Sequence, residues 1–463
     1  MIRLFFVVIL LSCSVVWADL RARIDGILDK TGIDKSQVSV QVLNADSGKV
    51  AYTYNGNKAV IPASNMKVVT TAAALKFLGK DFEFVTKVGL SGKKIVVIGS
   101  GDSLLGDPVI DAEKGRRTGW IFEDIVQKLR AQDVNLIDGI IIDSTVFEDQ
   151  RVHPNWPKEQ LNKWYACEIS GLNYYDNCID ITVKNVMGRA AISAIPQTQY
   201  VKIINEVDAI SKDKGAVGAY RNSEMNKIVV KGRCRNVVGP FSVAIERPAA
   251  FFGFILGENL LNSGFKVSGE LEERDFDKGR SFKQLSEYKT SIKEAMQRAN
   301  KNSLGLAAEC LFKTISAKKG SGKGSWDDGR AVISKYLSGL GVDENEYYID
   351  DGSGLSRENK LSANVLTKVL FDVYKSDDWK FYKDTLAIGG VDGTLKKHFS
   401  EAKYKGKVFG KTGYIAGVKS LSGVCETSKG DFIFSILINK ANGRSREAIN
   451  DIVKAVINEQ AGK

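Results

Sequence analysis

The sequence predicts an α/β domain interrupted by a β-rich insertion, and three observations predict it. A short hairpin pattern near the start runs straight into a helix rich in alanine and valine. The middle of the chain reads as short strands separated by glycine, asparagine and aspartate turns. Long helical patterns return after Ser291 and end in a hairpin and a last helix.

The elements follow in order. Met1-Ile2-Arg3 is a short positive start, Leu4 to Leu11 is unbroken apolar, and Val16-Trp17-Ala18 is a small-residue exit. That is the layout of a cleavable export signal, residues 1–18, and it is too short to span a bilayer. Leu10-Leu11-Ser12-Cys13 loosely resembles a lipidation site, which Leu11 fits poorly. Leu20 to Leu28 has helical apolar spacing. Val38 to Leu43 and Val50 to Tyr54 alternate as strands about the turn Asp46-Ser47-Gly48-Lys49, and Met66 to Leu78 is the helix that follows. From Phe84 to Lys289 strands dominate, with one clear helix at Ala249 to Leu261. Beyond Ser291 the helical patterns are Ile292 to Ile315, Asp328 to Leu340 and Ala363 to Tyr374. Lys407 to Val424 pairs as a hairpin with Phe432 to Asn439, and Ser445 to Ile457 closes the chain. The expected division is a catalytic domain in two parts, 19–83 and 291–463, around an insertion at 84–290 that is large enough for two small domains.

Composition narrows the chemistry. At 463 residues with 43% hydrophobic and 26% charged content, the chain is an ordinary folded protein of more than one domain. Its net charge of +11 is scattered in short patches such as Lys93-Lys94, which argues against a nucleic-acid site and fits attraction to an anionic envelope. Of six cysteines, Cys13 leaves with the signal, and the remaining five are an odd number. Cys310 and Cys425 read as core, and a disulfide among Cys167, Cys178 and Cys234 suits an exported protein without the sequence choosing the pair. The only two histidines, His153 and His398, sit in no metal-ligand or nucleophile motif, and no Cys-x-x-Cys occurs, so no metal or cofactor is expected. A hydrolase so poor in histidine points to Ser-Lys chemistry.

Ser64-Asn65-Met66-Lys67 supplies it. On a helix, positions i and i+3 share a face, so Lys67 reaches the Ser64 hydroxyl and takes its proton if burial depresses its pKa. The helix start also aims backbone N–H groups at a developing oxyanion. Other Ser-x-x-Lys runs, such as Ser91 to Lys94 and Ser316 to Lys319, fall in turns, polar stretches or helix ends. Lys411-Thr412-Gly413 lies in a strand pattern that continues to Tyr414, where the Lys supplies charge, the Thr a hydrogen bond and the Gly close approach. A second such run, Lys30-Thr31-Gly32, reads as a helix stop.

An early Ser-x-x-Lys, a late Lys-Thr-Gly and a long insertion between them resemble the penicillin-binding proteins and β-lactamases. Asp351-Gly352-Ser353-Gly354-Leu355-Ser356, Gly390-Val391-Asp392-Gly393-Thr394-Leu395 and Gly99-Ser100-Gly101-Asp102 are similar to segments of the low-molecular-mass class C branch. The resemblance implies a penicillin-binding, β-lactamase-like serine transpeptidase domain, an antiparallel sheet flanked by helices. It also implies D-alanyl-D-alanine carboxypeptidase/endopeptidase activity on peptidoglycan peptides ending in D-Ala, with β-lactams acylating the same serine. Ser64 is then the nucleophile and Lys67 the general base. Ser303 relays a proton, Lys411, Thr412 and Gly413 hold the substrate carboxylate, and the N–H groups of Ser64 and Tyr414 form the oxyanion hole. The middle motif departs from the family's Ser-x-Asn: Ser303 keeps the hydroxyl, but Gly305 stands where an amide is expected, with Asn302 on the other side. That departure motivates the alternative of a weakly active or non-catalytic penicillin-binding wall protein. Nothing argues for the third option, a β-lactamase or esterase. Asp351, Asp392 and Gly393 read as loop formers, and the other expectation for Ser303 is a helix cap.

Overall fold

The computed structural model describes residues 20–459 apart from 278 and 429. The export signal and Cys13 lie outside the described residues. The chain divides into two compact units. One holds the described residues up to Asp81, with Met296–Ile315 and the chain from Trp326 onward. The other holds Phe82–Ala295 and Ser316–Ser325. Among the described residues, no helix is long and apolar enough to cross a membrane.

The first unit is built on a six-stranded antiparallel sheet. Its strand order is Ala387–Ile388, Val408–Ile415, Val418–Thr427, Gly430–Asn439, Val38–Asn44 and Val50–Tyr54. The N-terminal hairpin therefore completes a sheet whose other strands come from the end of the chain, with Val40 opposite Ile436 and Val42 opposite Phe434. This pairing holds the two parts of the unit together across so long an insertion, because each part contributes strands to one sheet. Gly430–Asn439 is buried on both faces from Phe432 onward and reads as the continuous apolar run that a covered central strand requires. The helix over residues 20–30 and the helix Ser445–Glu459 bring Ile24, Leu28, Ile452 and Val456 into one core with Val40, Leu421 and Phe434. Ala363–Tyr374 packs on the strands Val38–Asn44 and Gly430–Asn439, and Met66–Leu78 packs on Ala363–Tyr374.

Two expectations need correction here. The pattern Ile292 to Ile315 is two helices, Ile292–Lys301 and Gly305–Lys319. Ser303 between them takes φ +63°, which an α-helix does not tolerate, so the break puts Ser303 in a corner. The run Lys407 to Val424 is itself a hairpin that turns at Gly417, φ +75°. Lys30-Thr31-Gly32 ends the helix over residues 20–30 with Gly32 at φ +61°, a stop conformation.

The second unit has a five-stranded mixed sheet ordered Leu271–Glu273, Ile140–Asp143, Lys94–Ile98, Glu83–Ser91 and Lys283–Ser291. The parallel step from Lys94–Ile98 to Ile140–Asp143 needs a crossover. The helix Trp120–Arg130 lies in that crossover, unread in the sequence although Ile121, Phe122, Ile125, Val126 and Leu129 hold its buried face. Two three-stranded sheets complete the unit, Ala216–Arg221/Lys227–Cys234/Lys202–Ala209 and Val237–Ala244/Cys178–Val186/Arg189–Ile195. All five described cysteines are buried and outside any disulfide, so the bridge expected among Cys167, Cys178 and Cys234 is not formed.

Phe434 anchors the covered strand at 0% exposure. Phe434→Ala is expected to cost about 3–5 kcal/mol, seen as a lowered denaturation midpoint of the unit that contains the sheet.

Candidate active site

Ser64 occupies a single 3₁₀ turn, Ala63–Asn65, that leads directly into the helix Met66–Leu78. Ala63, the residue before it, sits at φ +48°, a strained conformation that the surroundings must hold. Three hydrogen bonds hold it. Asn65 Nδ2 donates to the Lys411 carbonyl (3.0 Å) and to Ser420 Oγ (2.8 Å), and Ser420 Oγ donates to the Pro62 carbonyl (2.8 Å). The Ser64 turn is thus stitched to the strands Val408–Ile415 and Val418–Thr427. A Cβ on Gly413 would stand 2.1 Å from Ser420 Oγ and 2.9 Å from the Pro62 carbonyl, so only glycine allows this approach. Asn65 was silent in the sequence, being an unspecified position of Ser-x-x-Lys.

Lys67 is 2% exposed. Its Nζ donates to Ser64 Oγ (3.2 Å) and to the Ser353 carbonyl (2.7 Å). Burial lowers its pKa to about 8, while the carboxylates of Glu309 and Asp351 oppose that shift. An ammonium needs water or acceptors, and here the acceptors come from a folded loop. In that loop Asp351 accepts from the N–H groups of Gly354 (2.7 Å) and Ser356 (2.7 Å) and from Asn359 Nδ2 (2.8 Å). Thr70 Oγ1, one turn after Lys67, donates to the Gly352 carbonyl (2.7 Å). Gly354 has φ +80°, and a Cβ there would fall 1.9 Å from the Ala63 carbonyl, so the loop rests directly on the Ser64 turn.

Glu309 is the residue the sequence did not single out. It is fully buried on the helix Gly305–Lys319. Its carboxylate accepts from the N–H groups of Ser353 (2.7 Å) and Gly352 (3.0 Å) and from Trp326 Nε1 (2.9 Å). Burial raises its pKa, the neighbouring Asp351 adds to that, and the three donors pull it back. Glu309 therefore fixes the two peptide units that lead into Ser353, and Asp351, through the Gly354 N–H, fixes the one whose carbonyl receives Lys67. Its only sequence signal is a carboxylate within an apolar helical run.

Lys411 is 0% exposed and donates to Ser303 Oγ (2.9 Å) and to the Thr412 carbonyl (2.7 Å). Burial, then Lys67, then Arg446 push its pKa well below the ordinary lysine value. Ser303 is thus engaged by Lys411, rather than reduced to capping the helix it precedes. Its φ of +63° is a second strained non-glycine residue beside a reactive hydroxyl. Thr412 Oγ1 lies 2.8 Å from Thr394 Oγ1 of the Gly390–Leu395 segment. Asp392 shapes that segment, accepting from the Ile388 N–H (2.8 Å) and Lys301 Nζ (2.5 Å). Arg446 Nη2 donates to the Gly413 carbonyl (3.2 Å) from the last helix, unpredicted from sequence. Tyr414 is 70% exposed beside this strand edge. Gly305 opens its helix, buried and without a side chain, and Asn302 is exposed.

Ser64, Lys67, Ser303 and Lys411 are therefore joined through hydrogen bonds at Lys67 and Lys411, with Thr412, Gly413 and Tyr414 continuing the same strand. Among the described residues no cluster of side chains suits a metal ion.

Known proteins show the same arrangement of the chain. A D-alanyl-D-alanine carboxypeptidase from an Actinomadura species is 28% identical over 96% of this chain and 85% of its own length. The D-alanyl-D-alanine carboxypeptidase DacB of Haemophilus influenzae is 26% identical over 86% of this chain and 84% of its own length. The crystal structure of penicillin binding protein 4 (dacB) from Haemophilus influenzae superposes with a TM-score of 0.79 at 21% identity, covering 94% of this chain and 98% of that one. The profile of the D-Ala-D-Ala carboxypeptidase 3 (S13) family matches residues 20–459. This chain, with its hydrogen-bonded Ser64–Lys67 pair, belongs to the D-Ala-D-Ala carboxypeptidase 3 (S13) family.

Proposed function

We propose that this serine hydrolase is exported to the cell envelope and cuts peptidoglycan stem peptides ending in D-Ala through an acyl-enzyme on Ser64. The observation that carries the assignment is the Lys67 ammonium, buried, with its pKa lowered, 3.2 Å from Ser64 Oγ. Neutral Lys67 takes the hydroxyl proton as Oγ attacks the carbonyl carbon. The substrate's carboxylate is held by Lys411 and Thr412, beside Gly413. Its negative charge favours charged Lys411, and charged Lys411 disfavours a proton on Lys67, so substrate binding arms the base. The N–H groups of Ser64 and Tyr414 receive the oxyanion. Ser303, already bonded to Lys411, passes a proton to the departing amine, and water then releases the acyl group. β-Lactams enter the same sequence and stop at the acyl-enzyme. The missing amide at Gly305 favours a second reading, in which acylation survives and turnover is slow.

Incubation with a penicillin is expected to add the drug's mass to the intact protein at Ser64, and Ser64→Ala is expected to show no adduct. Release of D-alanine from a D-Ala-D-Ala peptide then separates the two readings: steady turnover supports the peptidase, and acylation without release supports the slow one. An unmodified, folded protein that also fails to hydrolyse the drug would remove Ser64 from the nucleophile's role.

The acylation rate is expected to rise with pH through about 8, because Lys67 must be neutral to act and its pKa is lowered to about that value. Glu309→Gln removes a negative charge that raises the Lys67 pKa. It also turns an acceptor of three donors into a partly donating amide. The acylation rate should fall about tenfold or more, roughly 1.4 kcal/mol per factor of ten, and the acidic limb of the profile should move to lower pH. A limb that stays in place would reduce Glu309 to a structural role.

A further inference from the structure

The two three-stranded sheets of the second unit share one end. The hairpin from Cys178–Val186 to Arg189–Ile195 turns there at Met187-Gly188. Val237 begins its strand opposite Lys184. Arg233 lies opposite Ala216 and Cys234 opposite Ala209, so the loop between Ala209 and Ala216 is at the same end. Asn185 Nδ2 ties the pieces, donating to the carbonyls of Ile210 (3.2 Å) and Arg235 (3.0 Å).

What this end presents is unusual for a surface in water. Met187 is 101% exposed, Val237 56% and Val186 50%. Around them Lys184, Arg189, Lys212, Lys214, Arg233 and Arg235 are all exposed, and none forms an ion pair among the described residues. The same segments carry the carboxylates Asp208 and Asp213, with Glu206 exposed two residues before Asp208 on its strand. The chain's positive charge, scattered elsewhere, is concentrated here around an apolar tip.

We propose that this end of the insertion docks on an anionic lipid bilayer, with Val186 and Met187 entering the headgroup region while the cations meet lipid phosphates. Cations alone would suit any polyanion. A fully exposed methionine and two valines among them gain only where hydrocarbon lies beneath the charge, which is the composition of an interfacial anchor. The envelope location proposed above supplies the setting, while the surface itself is independent of Ser64.

The test is flotation of the purified full chain with vesicles of phosphatidylglycerol and phosphatidylethanolamine, against pure phosphatidylcholine, with penicillin acylation measured on the same samples. Binding is expected to the anionic vesicles only, weakening as salt rises. Val186→Ser/Met187→Ser should weaken it about tenfold. Lys212→Glu/Lys214→Glu, in an exposed loop, should weaken it roughly 25-fold or more, at about fivefold per cation lost. Neither pair of changes should alter acylation. Absence of binding to anionic vesicles overturns the proposal while acylation still reports on the catalytic reading. So does binding that Val186→Ser/Met187→Ser leaves unchanged and that soluble polyphosphate competes away, which would assign the patch to a polyanion. Vesicle binding in a chain that fails to acylate would support the docking surface and strike only the role of Ser64.

Discussion

Taking a lysine ammonium out of water carries a penalty of several kcal/mol, and Lys67 is out of water. The fold around it is arranged to bear that cost while leaving the amine reactive. A carboxylate in direct contact would hold the proton on Lys67 and spoil the base. The contacts are instead a neutral carbonyl, at Ser353, and the Ser64 hydroxyl. The negative charges of Glu309 and Asp351 act from behind that peptide, each spending its hydrogen-bonding capacity on N–H groups and the Asn359 amide. The pKa settles between that of a solvated lysine and that of a fully isolated buried one, which is where a general base is useful near neutral pH.

The second buried lysine follows from the first. Lys67 helps to push the Lys411 pKa down, and Arg446 reinforces this from the last helix. On the proposed mechanism, the substrate's terminal carboxylate brings negative charge to the group formed by Lys67, Lys411 and Arg446. Recognition and activation are then one electrostatic event rather than two. Ser303, bonded to Lys411, is the group that would join that event to the leaving group on the proposed mechanism. The strained backbone at Ala63 and Ser303 places both hydroxyls where an unstrained helix would not. The Asn65 bridge and the Gly413 contact supply the restraint that keeps the first of these in place.

How much of this could be read from the chain depends on the range of each contact. Ser64 and Lys67 are legible because helical spacing alone brings them together, and the helix Met66–Leu78 falls where its apolar pattern places it. The hairpin Val38–Tyr54 is legible from alternation, but its partner strand Gly430–Asn439 is not, since nothing local says which distant run will pair. Lys411 is found through its strand and motif. Glu309, Asn65 and Arg446 are missed because each works through a long-range polar contact, and a buried polar group has the same local pattern as an exposed one. The break at Ser303 is missed for a different reason: both flanking helices have good periodicity, and the helix carrying Gly305 continues the apolar run of the one before.

The departure at Gly305 can be set against this network. A side-chain amide at that place would have to be positioned by the helix start alone. The groups here that touch Lys67 and Lys411 are a backbone carbonyl and a serine in a fixed corner, both held by hydrogen bonds already made before substrate arrives. Preorganised dipoles need no rearrangement as charge develops, so on the proposed mechanism the loss of a side-chain amide at Gly305 removes a substrate contact and leaves the proposed base and proton relay in place. On that mechanism the consequence falls on binding and on the second chemical step, where water displaces the acyl group, while the first step, attack by Ser64, uses groups this chain has kept.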